Sequence, residues 1–142
     1  MMTDLLLEVL SHYGLAEVSG PQSNPDIIDM GKELGIDIVD DSTFSWCSIS
    51  LCYYAKKLGY EQPNSAAARS WLKMPIVVLK PSLGDVVVLW RESKLGWKGH
   101  VGLFINWDKD FVWLLGGNQG NSISIAKFTR ERILGIRQMN KL

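Results

Sequence analysis

Apolar positions change their period midway along the chain. Up to about residue 73 they recur at helical spacing; beyond it they run continuously or alternate, the mark of strands. The opening run, Leu5, Leu6, Leu7, Val9 and Leu10, reads as an amphipathic helix capped by Thr3 and stopped near Gly14. Asn24 caps a second helix, with Pro25 at its first position and Gly35 just past its end. A third helix is expected over 45–58, closed by Gly59, and its dense apolar content marks it as the buried central helix. A short fourth is expected over 64–73, before Pro75. Strands follow at 86–90, from His100 onward, and at 111–115, 122–128 and 133–138. Turns are expected at 81–85, 106–110 and 116–121, with a polar loop over 91–99. Helices first and an antiparallel meander after give an α+β protein, expected as one domain over 1–142.

Bulk composition narrows the function classes. The 142 residues carry 15 basic and 15 acidic side chains, a formal net charge of +0. No basic run stands out, so nucleic acid is not an expected partner. No apolar run approaches the ~18 residues that cross a bilayer, and no membrane insertion is expected. The first residues have no basic n-region and no small-residue cleavage site. The expectation is a chain made in the cytoplasm, carried to its place of action by other machinery. A monomer is expected. Six tryptophans are many for this length. Most fill the core, and one or two at a cleft rim would suit a sugar or peptide ligand.

The two cysteines, Cys47 and Cys52, lie five apart on one predicted helix and point to different faces. A disulfide would need that helix broken, and zinc spacing is missing, so both are expected as free thiols. Neither a metal nor a cofactor is expected. Cys47 follows Trp46 at the expected first turn of the third helix, where the helix dipole favours thiolate. Cys52 lacks that setting and belongs to the core. A lone cysteine is more often buried filler than nucleophile, but His100 opens an apolar strand far downstream. A cysteine at a helix start and a histidine on a following sheet is a layout for nucleophilic catalysis. His12, near the end of the first helix, has no such role. Asn118, at the end of the neighbouring strand, is the candidate to orient the His100 ring; an ordinary turn asparagine is its bland alternative.

These blocks resemble a family. The run from Asp41 to Ser48 through Trp46-Cys47, with Arg69-Ser70-Trp71-Leu72, the Gly84-Asp85-Val86-Val87-Val88 block, Gly99-His100-Val101-Gly102 and Leu115-Gly116-Gly117-Asn118-Gln119, is similar to the single-domain CHAP and NlpC-like cell-wall hydrolases of the papain-like superfamily. The resemblance covers about 14–138. It implies a papain-like fold and a peptidoglycan amidase or endopeptidase, of the kind found in phage lysins and bacterial wall hydrolases. Cys47 matches the nucleophile, His100 the base and Asn118 the orienting polar residue. Many CHAP members carry a glutamate in the neighbouring strand, where this chain has Gly116 and Gly117. Where papain-like enzymes often carry a glutamine before the cysteine, this chain has Asp40 and Asp41. An ionised aspartate cannot donate, so the Cys47 backbone N–H is the expected oxyanion donor. Asp41, Trp46 and Trp97 are the residues expected to contact substrate. The alternative is a degenerate copy of this fold, kept as a non-catalytic cell-wall or phage-particle binding module.

Overall fold

Local chemistry starts and stops the helices. The computed structural model describes residues 4–16, 24–36 and 46–142. In it α1 spans Asp4–Leu10, α2 Pro25–Glu33 and α3 Cys47–Lys57. The Asn24 side-chain oxygen accepts from the Asp26 N–H at 2.9 Å, which satisfies one of the helix's orphan donors. Pro25 takes the first turn, where its missing N–H costs nothing. α1 ends short of Gly14, and 11–14 form turns instead. The Thr3 cap expected for α1 lies outside the described residues.

The expected fourth helix shrinks to a 3-10 turn, Ala68–Lys73. Its first half is tied to α3 rather than to itself. Asn64 sits at φ +50°, outside helical space, and the Ser65 carbonyl accepts from the Ser48 hydroxyl at 2.7 Å. The Trp71 ring N–H donates to that same hydroxyl at 3.0 Å, and Trp71 is fully buried.

Among the described residues five antiparallel strands form one sheet: β1 Val86–Trp90, β2 Gly99–Trp107, β3 Phe111–Gln119, β4 Ser122–Thr129 and β5 Ile133–Arg137. Their order is β4-β3-β2-β1-β5. The expected meander therefore holds only from β1 to β4. The turn Arg130–Arg132 sends β5 to the far side, where Val86 pairs with Arg137 and Leu89 with Ile133. β1 thus has a neighbour on each side and both faces covered. This explains its continuous apolar run, whose residues Val86, Val87, Val88 and Leu89 are all fully buried.

Alternation along the strands splits the interior in two. Val86, Val88, Val101, Leu103 and Leu115 join a cluster with α1, α2 and α3. Val87, Leu89, Phe104, Val112, Leu114 and Ile136 form a second cluster, with Phe128 and Trp107 packed against it. Among the described residues no helix is long and apolar enough to cross a membrane.

β3 runs further than its apolar stretch implied. Residues 116–119 were expected in a turn, yet Gly116 pairs with Ser124 and Gln119 with Ser122, with an irregularity between. The turn itself is two residues, Gly120 and Asn121, at φ +61° and +62°. Positive φ at both central positions is what a tight hairpin of right-handed twist requires.

Candidate active site: Cys47, His100 and Gln119

Cys47 is the first residue of α3. Its N–H therefore lies outside the intrahelical ladder, and the helix N-terminus places partial positive charge beside its sulfur. His100 is the second residue of β2, opposite Leu89 of β1. The Cys47 sulfur lies close enough to the ring to favour its charged form. Cys47 packs within the helix-side cluster. The His100 ring lies 5.0 Å from that of Phe128, centroid to centroid, which belongs to the other cluster. The pair stands where the two clusters meet.

The ring is held by Gln119. His100 Nε2 and Gln119 Oε1 are 2.9 Å apart. The Gln119 amide nitrogen donates to Leu114 O at 2.9 Å and to Ser124 O at 2.6 Å. Two carbonyl acceptors thus fix which end of the amide faces the histidine. With its oxygen turned to the ring, Oε1 must accept and Nε2 must carry the proton. In the neutral ring the lone pair is then on Nδ1, the nitrogen left for the Cys47 sulfur. A neutral ring wired in this way can accept a proton at Nδ1 alone.

Electrostatics agree with that role. Burial works against a charged ring, but the Cys47 sulfur and the Gln119 bond outweigh it, with Arg91 opposing, so the His100 pKa is raised. Cys52 has the opposite setting. Burial pushes its thiol up, and its polar neighbours include Ser65 O at 3.7 Å and the Ser48 hydroxyl at 3.9 Å. Neither cysteine is in a disulfide, as expected.

The glycines around the site are there for space. A Cβ on Gly102 would stand 3.0 Å from Leu114 Cβ and 3.4 Å from Gln119 Oε1; one on Gly116 would stand 3.1 Å from the same oxygen. They leave the slot in which the Gln119 amide lies. A Cβ on Gly117 would come within 2.6 Å of Trp46 Cζ3 and 2.7 Å of Ser50 Oγ, so Gly117 is the seat on which Trp46 packs.

Several expected site residues find other places. The residue that holds the ring is Gln119, not Asn118. Asn118 sits at φ +59° beside the irregularity in β3, and this left-handed step turns the next side chain onto the ring. Trp46 is 0% exposed and belongs to the core, not to a substrate-facing rim. Asp41 lies outside the described residues. Trp97 is 77% exposed, two residues before β2, with Lys98 Nζ 5.6 Å from its ring centroid. His12 packs at α1, its ring stacked on Tyr54 at 4.9 Å and its Nε2 2.9 Å from Glu8.

Arg69 was passed over as a working residue, though its Arg-Ser-Trp block stands out. Its guanidinium donates to Lys98 O at 2.8 Å, Lys94 O at 2.9 Å and Ser93 O at 2.7 Å. It thereby pins the β1–β2 loop that delivers His100. Gly99 is the complement: a Cβ there would lie 3.0 Å from the Arg69 stem and 2.9 Å from Leu89 O.

Among the described residues no three potential metal ligands cluster. Comparison with known protein families and with curated proteins finds no match for this chain.

Proposed function

We propose that this protein is a cysteine hydrolase of amide bonds on a papain-like fold, and that its substrate is peptidoglycan. The observation that carries the chemistry is the directed chain from Leu114 O and Ser124 O through the Gln119 amide to His100 and on to Cys47. His100 Nδ1 takes the thiol proton, and the thiolate attacks the amide carbonyl. The oxyanion forms at the start of α3, where the Cys47 N–H and the helix dipole stabilise it. The imidazolium passes its proton to the leaving nitrogen, the C–N bond breaks, and a thioester remains. A water deprotonated by the same Nδ1 then releases the acid and restores the thiol. The choice of peptidoglycan rests on the likeness of the Trp-Cys, Gly-His-Val-Gly and Gly-Gly-Asn-Gln blocks to CHAP and NlpC-like wall hydrolases.

One observation favours the non-catalytic alternative. Cys47 is 1% exposed and His100 4%, and the cavity touching Cys47 has room for about one water molecule. A binding module would tolerate such a closed centre; an enzyme must open it. The test is to incubate purified sacculi with wild type and with Cys47→Ala and identify released fragments by mass spectrometry. Soluble muropeptides from wild type alone are expected, and the new termini name the bond. Release by Cys47→Ala overturns the mechanism. No release from several sacculus types, with both proteins folded, favours the binding module.

A further inference from the structure

The turn Ala68–Lys73 touches both halves of the candidate active site. A 3-10 turn of this length has little stability of its own, yet the fold ties it down in three directions. Toward the helices, the Trp71 ring N–H donates to the Ser48 hydroxyl at 3.0 Å, and that hydroxyl donates to Ser65 O at 2.7 Å. Toward the β1–β2 loop, the Arg69 guanidinium donates to Ser93 O at 2.7 Å, Lys94 O at 2.9 Å and Lys98 O at 2.8 Å. At its far end, Leu72 O accepts from Arg137 of β5 at 2.9 and 3.3 Å.

The first two ties fall beside the reacting groups. Ser48 follows Cys47 in the first turn of α3. Trp46 gives that turn no side-chain cap, and a first turn without one depends on tertiary contacts to hold its shape. Lys98 stands two residues before His100, and residues 91–97 of the loop are exposed, so packing of the loop itself does not fix where β2 starts. The start of β2 rests on the turn instead. A Cβ on Gly99 would stand 3.0 Å from Arg69 Cγ and 3.5 Å from Ala68 Cβ. The helix that carries the thiol and the strand that carries the imidazole are thus referred to one short segment, through residues two apart on it.

We infer that Arg69 and Trp71 are positioning residues, and that the turn carrying them sets the span between Cys47 on α3 and His100 on β2. A base must stand within hydrogen-bond reach of the proton it takes, and a misplacement of about 1 Å costs about a hundredfold in rate. Loss of either tie lets one partner move without the other. The inference rests on the cysteine-hydrolase reading and adds to it the element that holds the pair in register.

The test is the pH dependence of Cys47 alkylation by iodoacetamide, with peptide mass spectrometry to separate Cys47 from Cys52. Beside His100 the Cys47 thiolate is expected to persist below the ordinary thiol value of about 8.5, so that the wild-type rate holds up toward neutral pH. Trp71→Phe removes the N–H and keeps an aromatic ring in the core; Arg69→Gln removes the guanidinium fork. Each is expected to move the profile up by about one pH unit, which makes the rate near pH 7 about tenfold lower. Arg69→Lys keeps a single donor group and is expected to fall between. Tyr60→Phe removes a bond to Asp4 beyond the far end of α3; it is the control for stability lost elsewhere and is expected to keep the wild-type profile. Cys52 is 0% exposed, and its protection reports that each variant is folded. A wild-type profile in Trp71→Phe or in Arg69→Gln, or an equal shift in Tyr60→Phe, overturns the positioning role and leaves the hydrolase reading standing. Labelling of Cys52 in either variant shows that the turn holds the fold rather than the pair, and overturns it too. An ordinary thiol profile for Cys47 in wild type overturns the hydrolase reading, and the positioning role with it.

Discussion

Gln119→Ala is the sharpest perturbation of the wiring. The side chain is 4% exposed and makes three hydrogen bonds, at 2.9 Å to His100, 2.9 Å to Leu114 O and 2.6 Å to Ser124 O. A buried polar group left unpaired costs about 1–3 kcal/mol. Ser124 is half-exposed and rehydrates, and the space vacated by the side chain admits water to the other two groups. The expected loss is therefore about 2–4 kcal/mol rather than three full penalties. The effect on reactivity is separate. Without Oε1 the ring is free to rotate and to move its proton to Nδ1, which removes the base from the thiol. Loss of positioned general-base action is worth about 10²-fold in rate. Guanidinium unfolding followed by tryptophan fluorescence measures the first effect, and the second-order rate of Cys47 alkylation by iodoacetamide near neutral pH the second. Gln119→Glu separates them further. Its carboxylate still accepts from His100 Nε2–H, but it sets an oxygen against two carbonyl oxygens, so it should destabilise at least as much as alanine while keeping the ring oriented. Wild-type stability and a wild-type alkylation rate in Gln119→Ala would refute the argument that this amide fixes the tautomer.

Two further outcomes follow from the same geometry. Gly117→Ala forces a methyl against Trp46 and Ser50 Oγ at 2.6 and 2.7 Å and should cost about 1–3 kcal/mol by overpacking; an unchanged melting temperature would contradict the seat. His100, whose folded pKa is raised by Cys47 and Gln119 against the effect of burial, contributes stability that is whole below its unfolded value of about 6.5 and is lost as pH rises through the folded value. The stability gap between wild type and His100→Gln should therefore narrow from about pH 6.5 upward, and a gap that widens there would reverse the sign of the assignment.

What the chain's pattern made legible was whatever depends on one strand or one helix at a time. The change of period located the helices and sheet, and the unbroken apolar run at Val86–Trp90 identified a strand, whose burial on both faces the fold then explains. Cys47 and His100 were legible because their chemistry depends on where an element begins, which capping and periodicity report. The destination of β5 was not, because pairing with β1 across the sheet is set by how its faces bury, and no local signal carries that. Trp46 misled for a related reason: next to a nucleophile an aromatic ring reads as a substrate contact, and only the bare backbone of Gly117, on another strand, shows that a core seat awaits it.

Asn118 and Gln119 make the point most clearly. On a regular strand the two point to opposite faces, so choosing between them means knowing the register. The stretch from Gly116 to Gln119 is where the register shifts, and a single left-handed residue decides which side chain arrives at the ring. Asparagine tolerates that backbone far better than glutamine, so Asn118 takes the strained position and Gln119 the one that meets His100. The residue that looked like the ligand of the histidine is the hinge that delivers it. Exchanging the two, as Asn118→Gln with Gln119→Asn, should damage both roles at once: a longer side chain at φ +59° and an amide one methylene short of the 2.9 Å contact. If the exchanged protein alkylates at Cys47 as fast as wild type, backbone geometry at this step does not select the residue that holds His100.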